Sequence, residues 1–207
     1  LPGWPADGQE ALGTLLQEFL AQHAQEKLAP KTVERYRESV TYLDASILEM
    51  PLADIKPLHL HRKWERLLKC GGHPRKKREP RPLAAKTVRN IAGVVSSAFG
   101  RAMRWGLIAT NPVTHSEPPR VKKHVAIALT PAHLEIAMES ASRPWCMRMF
   151  LVMADATGMR RGELLALRWA DIVDGYAIVA RSLSQTFREV DGPDGRKTRV
   201  HDVLEFK

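Results

Sequence analysis

Thr157-Gly158-Met159-Arg160-Arg161-Gly162-Glu163 runs directly into Leu164-Leu165-Ala166-Leu167-Arg168-Trp169-Ala170-Asp171-Ile172. The stretch sets a glycine break, an arginine and an acidic residue at the junction of two apolar segments. Gly158 can take the left-handed conformation that closes a helix, and the next helix then starts at about Arg160. Side chains of a first helical turn project near unpaired N–H groups and the positive end of the dipole, where an anion is favoured. Arginine adds a planar fork that can hold two phosphate oxygens at once. Glu163, one turn later, can compensate the dipole or brace a neighbouring guanidinium. An isolated arginine here would read as half of a surface salt bridge to Glu163 or Asp155. The full heptapeptide points instead to a site that holds an anion.

Around this junction the pattern is helical on one side and extended on the other. Thr130 is an N-cap candidate, Pro131 a first-turn residue and Glu135 an early acid, which opens a helix over about 131–141. A second spans about 144–156 with Trp145, Met149, Phe150 and Met153, and the third carries Leu164, Leu165 and Leu167. Residues Tyr176 to Ser182 read as a strand, Asp191-Gly192-Pro193-Asp194-Gly195 as a turn, and Arg196 to Phe206 as a returning strand. Residues 128–207 are therefore expected to form an α+β unit with a small antiparallel sheet.

Further upstream the chain reads as four helices with short connections, a small bundle. Leu12, Leu15, Leu16, Phe19, Leu20 and His23 mark the first over about 10–25, and Pro30 opens the second with Val33, Tyr36, Val40 and Leu43. The third follows Pro57 with Leu60, Trp64, Leu67 and Leu68 inward. The fourth runs from about Ala84 to Trp105, with Val88, Ile91, Val95, Ala98, Ala102 and Trp105 on one face and Gly106 as its end. Between the third and fourth lies a Gly- and Pro-containing loop over 69–82 with six basic residues, Lys76, Lys77 and Arg78 at its centre. We read it as a mobile phosphate-contacting loop. The bundle spans 8–113. A linker over 114–127, stiffened by Pro118 and Pro119 and charged by Arg120, Lys122 and Lys123, separates it from the second domain.

Charge follows the same division. Residues 1–128 hold 21 Lys/Arg and 12 Asp/Glu, a net of +9, and residues 129–207 hold 11 of each, a net of zero. A basic domain joined to a neutral one suggests a polyanionic partner, with nucleic acid first. The helix starts are the expected contacts: Lys31, Thr32 and Arg35 on the second helix, and Lys86, Thr87, Arg89 and Asn90 on the fourth. Cys70 and Cys146 are too few for a disulfide framework or a metal site and read as reduced thiols. No apolar run approaches a membrane span. No metal or other cofactor is implied.

The heptapeptide resembles the first catalytic box of the tyrosine recombinase (phage integrase) family, roughly Thr-Gly-x-Arg-x-Gly/Ser-Glu. The context is similar too: a helical DNA-clamping domain, a linker, the box, then a small sheet. The resemblance implies a mainly α protein, with a SAM-like core-binding bundle before the N-terminal part of a catalytic domain. It implies site-specific DNA recombination or integration without cofactor. A tyrosine attacks the scissile phosphate, forms a 3′-phosphotyrosyl bond and releases a 5′-hydroxyl. Arg160 becomes a catalytic arginine, supported by Glu163, Thr157 and Gly158. The partners become double-stranded DNA at core-type sites and, for a complete enzyme, three further copies in a tetramer. The implied workplace is DNA in the cytoplasm of a bacterial host.

Such enzymes also need a sheet lysine, a His-x-x-Arg pair and the tyrosine. The only His-x-x-Arg is His59-Leu60-His61-Arg62, before the box, where the family's order forbids it. Tyr36, Tyr42 and Tyr176 are read as packing residues. Lys197 and Lys207 remain candidate sheet lysines. With no initiator Met and an end inside a strand, the chain reads as a fragment, monomeric and unable to recombine DNA alone. The competing expectation is a noncatalytic DNA-binding protein that shares the fold.

Overall fold

Trp64 and Phe99 lie at the centre of the N-terminal half. In the computed structural model, which describes residues 8–24, 28–72, 81–122, 125–141, 143–144, 146–191 and 197–206, both are at most 1% exposed. The helices around them are α1 (Leu12–Glu18), continued by a π-helical turn over Phe19–Ala24, α2 (Pro30–Val40), α3 (Ala45–Leu48), α4 (Pro57–Cys70) and α5 (Ala85–Arg104). The apolar spacing becomes the core. Leu12, Leu15, Leu16 and Phe19 enter from the first helix, Leu60 and Leu67 from α4, and Val88, Ile91, Val95, Ala98 and Ala102 from α5. Burying each large aliphatic side chain contributes about 1.5–3 kcal/mol relative to exposure. Tyr36 stacks on Phe19 with ring centroids 5.9 Å apart, and Tyr42 packs at the edge of the core.

The helix ends are built as the sequence proposes, with two additions. Gly106, at φ +76°, closes α5 in a Schellman motif: Leu107 N–H donates to Ala102 C=O and Gly106 N–H to Met103 C=O, both at 3.0 Å. The short α3 and a 3-10 turn over Leu52–Asp54 were not expected, because one turn of helix is too short to show a periodicity. They place Asp44 against Lys63 of α4, whose side chain is 8% exposed, at 2.7 Å. A buried ammonium is costly unless paired. Burial alone would raise Asp44, but hydrogen bonds from Lys63 and Ser46 and the charges of Lys63 and Arg66 hold it below the usual carboxylate range.

The chain divides into two compact units, Leu1–Lys123 and His124–Lys207. The start of the expected linker is packed on the bundle. Asn111 accepts from Val113 N–H at 3.0 Å, starting a 3-10 turn over Pro112–His115, and its amide donates to Ser96 C=O at 3.1 Å. Ser116 is fully buried. Its hydroxyl accepts from the Trp64 indole at 2.9 Å and donates to Val113 C=O at 2.8 Å.

The second unit contains α6 (Pro131–Ser140), α7 (Cys146–Thr157), α8 (Arg161–Ala166) and a 3-10 turn over Trp169–Asp171. Thr130 caps α6 as expected, its hydroxyl accepting from His133 N–H at 3.3 Å. The strand expected over 176–182 is instead split. Asp174 and Gly175, both at positive φ, make a two-residue turn between β1 (Ile172–Val173) and β2 (Tyr176–Ala177). The chain then bends, with Ala180 N–H donating to Ile178 C=O, before β3 (Ser182–Asp191) pairs antiparallel with β4 (Lys197–Phe206). The expected turn lies almost wholly in 192–196, outside the described residues. Tyr176 is 75% exposed, which corrects its reading as a packing residue: the two-residue β2 turns it to solvent. In this unit Ala141 and Ala166 are buried, while Met149, Leu165 and Trp169 are exposed by 59, 57 and 90%.

Replacing Ser116 with alanine leaves the buried Trp64 indole N–H without this acceptor. The loss expected for the first unit is about 1–3 kcal/mol, read as a lower urea midpoint with an unchanged slope. An unchanged midpoint would show that the anchor is not holding the segment.

Candidate functional site: an arginine box and a basic groove

Gly158, at φ +64°, ends α7 by donating its N–H to Ala154 C=O at 2.9 Å. Thr157 donates its hydroxyl to Met153 C=O and accepts from Met159 N–H at 3.3 Å, which ties the turn to the helix it leaves. Arg160 follows as the N-cap residue of α8, with extended backbone at φ −67° and ψ 152°. It stands one position ahead of the helix rather than inside its first turn. Glu163 fixes it from both ends: one carboxylate oxygen accepts from Arg160 backbone N–H at 2.8 Å, the other from its guanidinium at 3.1 Å. The Arg160 side chain is 88% exposed, so most of its donor fork opens to solvent. The hydrogen bonds from the Arg160 backbone and guanidinium, and then its positive charge, hold the Glu163 carboxyl below the usual carboxylate range.

Glycine at 162 is demanded by packing. A Cβ there would lie 2.6 Å from Ser182 Oγ and 2.7 Å from Leu183 C=O. This close approach sets α8, and Arg160 with it, directly on β3. A second brace follows. Asp171 accepts from Arg168 N–H at 2.9 Å and pairs with the Arg181 guanidinium, and its C=O accepts from Ile178 N–H at 2.8 Å. The Arg168 N–H first, and then Arg181, hold Asp171 below the usual carboxylate range. Asp171 thus pins the entry to β3 onto the turn after α8. Arg181 gives no local sign of this in sequence, because the pair spans ten residues.

In the first unit, the two helix starts singled out by sequence come together. Thr32 and Arg35 of α2 face Lys86, Arg89 and Asn90 of α5 across one groove of about 450 Å³. Arg35, Lys86 and Arg89 are exposed. Lys31 is turned to Glu34, 2.8 Å away and 8% exposed, so part of its charge is already compensated. Lys122 is exposed beyond the bundle, and Lys76, Lys77, Arg78 and Lys123 lie outside the described residues. Lys197 opens β4 opposite Asp191, and Lys207 also lies outside the described residues.

The His59-x-x-Arg62 sequence has structural work in α4. His59 Nδ1 accepts from Lys56 N–H at 3.3 Å, capping the helix, and Arg62 lines a shallow depression with Asp44 and Arg66. Cys70 and Cys146 are free and exposed. Among the described residues no helix is long and apolar enough to cross a membrane, and no group of three or more His, Cys, Asp or Glu could hold a metal.

No protein-family model matches the chain. It is 25% identical over 177 residues to the integrase of Enterobacteria phage 434, covering 86% of this chain and 46% of that protein. It is 26% identical over 187 residues to the shufflon-specific DNA recombinase of Escherichia coli, covering 86% of this chain and 43% of that protein. The chain thus spans about half the length of the curated relatives it matches. Its fold is shared with the lambda integrase dimer bound to a COC′ core site, at a TM-score of 0.68 and 23% identity over 94% of this chain and 49% of that one. Likeness to integrases and recombinases runs from the bundle through the arginine box, so the chain is similar in sequence and fold to tyrosine recombinases.

Proposed function

We propose that this chain is the DNA-gripping and arginine-bearing part of a site-specific recombinase that integrates or rearranges DNA. The observation that carries the reading is Arg160: extended, open to solvent, and held by Glu163 at a turn packed on β3. A guanidinium so fixed is preorganised for a phosphate whose charge grows in the transition state. The reaction would begin with a tyrosine hydroxyl attacking the scissile phosphorus. The bond to the 5′ oxygen breaks, that oxygen leaves as a hydroxyl with a proton, and the 3′ phosphate remains on the tyrosine. Attack by another 5′-hydroxyl reverses the step on a new strand, so the phosphodiester energy is kept.

Tyr36 and Tyr42 pack against the bundle core, and Tyr176 directly follows the β1–β2 turn. We therefore assign the nucleophile, the His-x-x-Arg pair and the remaining cover of the catalytic domain to sequence outside this chain. The exposed Met149, Leu165 and Trp169 support that assignment, since a finished domain would bury such side chains. Lys197 and Lys207 stay as candidate sheet lysines, and Lys31, Thr32, Arg35, Lys76, Lys77, Arg78, Lys86, Arg89, Lys122 and Lys123 as candidate DNA contacts. The proposed setting is double-stranded DNA in the bacterial cytoplasm. The complete enzyme works there as a tetramer, whereas this chain alone is a monomer.

The first test extends the protein downstream of Lys207 and offers it a nicked duplex carrying a site selected from a random pool. A covalent protein–DNA adduct is expected, slowed about 10²–10³-fold by Arg160→Ala. An extended protein that binds but never forms an adduct is a DNA-binding relative without chemistry.

The groove gives a second test on the chain as it stands. Arg35→Gln and Lys86→Gln should each weaken duplex binding and flatten the dependence of log affinity on log salt by about 0.9 per lost phosphate contact. An unchanged slope would remove these residues from the interface.

Glu163 supplies a third. Its folded value is lowered, so its contribution is full above the unfolded value and fades only as pH falls through the lower folded one. A carbon-detected NMR titration should place its midpoint below that of an ordinary glutamate, and Arg160→Ala should move it back up. A midpoint at the ordinary value would mean that the brace is absent in solution.

A further inference from the structure

Gly93 has no structural reason to be glycine. It lies exposed within α5, and a Cβ added there meets nothing within 4 Å. Glycine in an exposed helix interior lowers helix stability relative to alanine. Neither its backbone nor its packing accounts for it.

Its position between two depressions does. One is the groove between α2 and α5 walled by Arg35, Lys86 and Arg89. The other lies between α5 and the segment after the 3-10 turn, walled by Pro118 and Arg120. Arg89 and Gly93 line both. Residues 89, 93 and 97 share one ridge of the helix at intervals of four, and on that ridge a large side chain is followed by Gly93 and then Ser97. With no side chain, Gly93 leaves the ridge low where the two depressions adjoin. Four cations flank the combined trough, against Glu117 as its acidic lining residue.

We propose that this trough is the track of one sugar-phosphate backbone across the bundle, with Gly93 as its floor and Arg120 as a phosphate contact. The proposal rests on the DNA-binding reading above and adds where the strand crosses. A single strand of a duplex carries a charge about every 3.4 Å of the axis, so a continuous trough with cations along it meets several phosphates of that strand where an isolated cation meets one. Arg35 and Arg120 belong to separate depressions, and Gly93 lies where the two adjoin.

The test uses this chain and a short mixed-sequence DNA duplex over a range of salt. Gly93→Ala, which restores a helix-favouring residue in open space, should raise or maintain the melting temperature. Gly93→Gln and Gly93→Met should keep that melting temperature and lower affinity about tenfold or more. Their salt slope should stay unchanged, because no charge is lost. Arg120→Gln should flatten the slope by about 0.9. Parent-like binding by both long-side-chain variants would overturn the track, even with Arg35→Gln and Lys86→Gln still weakening binding. A parent-like slope for Arg120→Gln would overturn its phosphate contact. Failure of the parent chain to bind any duplex would instead remove the reading on which the track rests.

Discussion

Both oxygens of the Glu163 carboxylate are committed to one residue. One holds the backbone of Arg160 at the point where the chain turns from α7 into α8, and the other holds the end of its side chain. A flexible arginine in solvent loses much rotamer freedom when it is ordered. Here that ordering is done before any ligand arrives, by a charge only three residues away. The arrangement works only because the turn beneath it is fixed. Gly158 reverses the chain at positive φ, and Gly162 lets α8 sit on β3 without a Cβ in the way.

The bundle applies a comparable economy to α5. One face supplies Val88, Ile91, Val95, Ala98 and Ala102 to the core. The opposite face carries cations at its start and small residues further on. The same helix therefore stabilises the fold and presents the groove, and the two roles are separated by angle around its axis rather than by position along it. The segment after α5 is also tied down, by Asn111 on Ser96 and by Ser116 under the Trp64 indole. Arg120 therefore follows a fixed point rather than a free tether.

Much of this was legible from residue order alone, wherever the physics is local. The buried positions of α4 and α5 follow a helical period, Gly106 and Gly158 end helices because they adopt positive φ, and Thr130 caps because its hydroxyl is next to a free N–H. The Arg160–Glu163 brace could be read for the same reason, since its two residues are three apart, whereas the seat of Gly162 against Ser182 and Leu183 could not. What could not be read was long-range or very short. Asp174-Gly175 makes a turn between strands of two residues, too brief to show alternation, so β1 and β2 merged with the stretch that follows. Arg181 meets Asp171 only because the chain bends between them. The shared trough at Gly93 needs α2, α5 and the segment at 118–120 in place together, and no spacing in the sequence announces that.

The uneven burial of the two units has a consequence for how such a protein comes into being. Among the described residues, the N-terminal bundle has a closed core and draws its Asn111 and Ser116 anchors from its own segment. The helices that follow keep Met149, Leu165 and Trp169 in solvent. During synthesis from the N-terminus, a domain that can close on its own does so while the ribosome is still translating the rest. On the reading proposed above, the clamp is finished on the nascent chain before the cutting half has its nucleophile. The order of translation then separates the capacity to hold DNA from the capacity to break it.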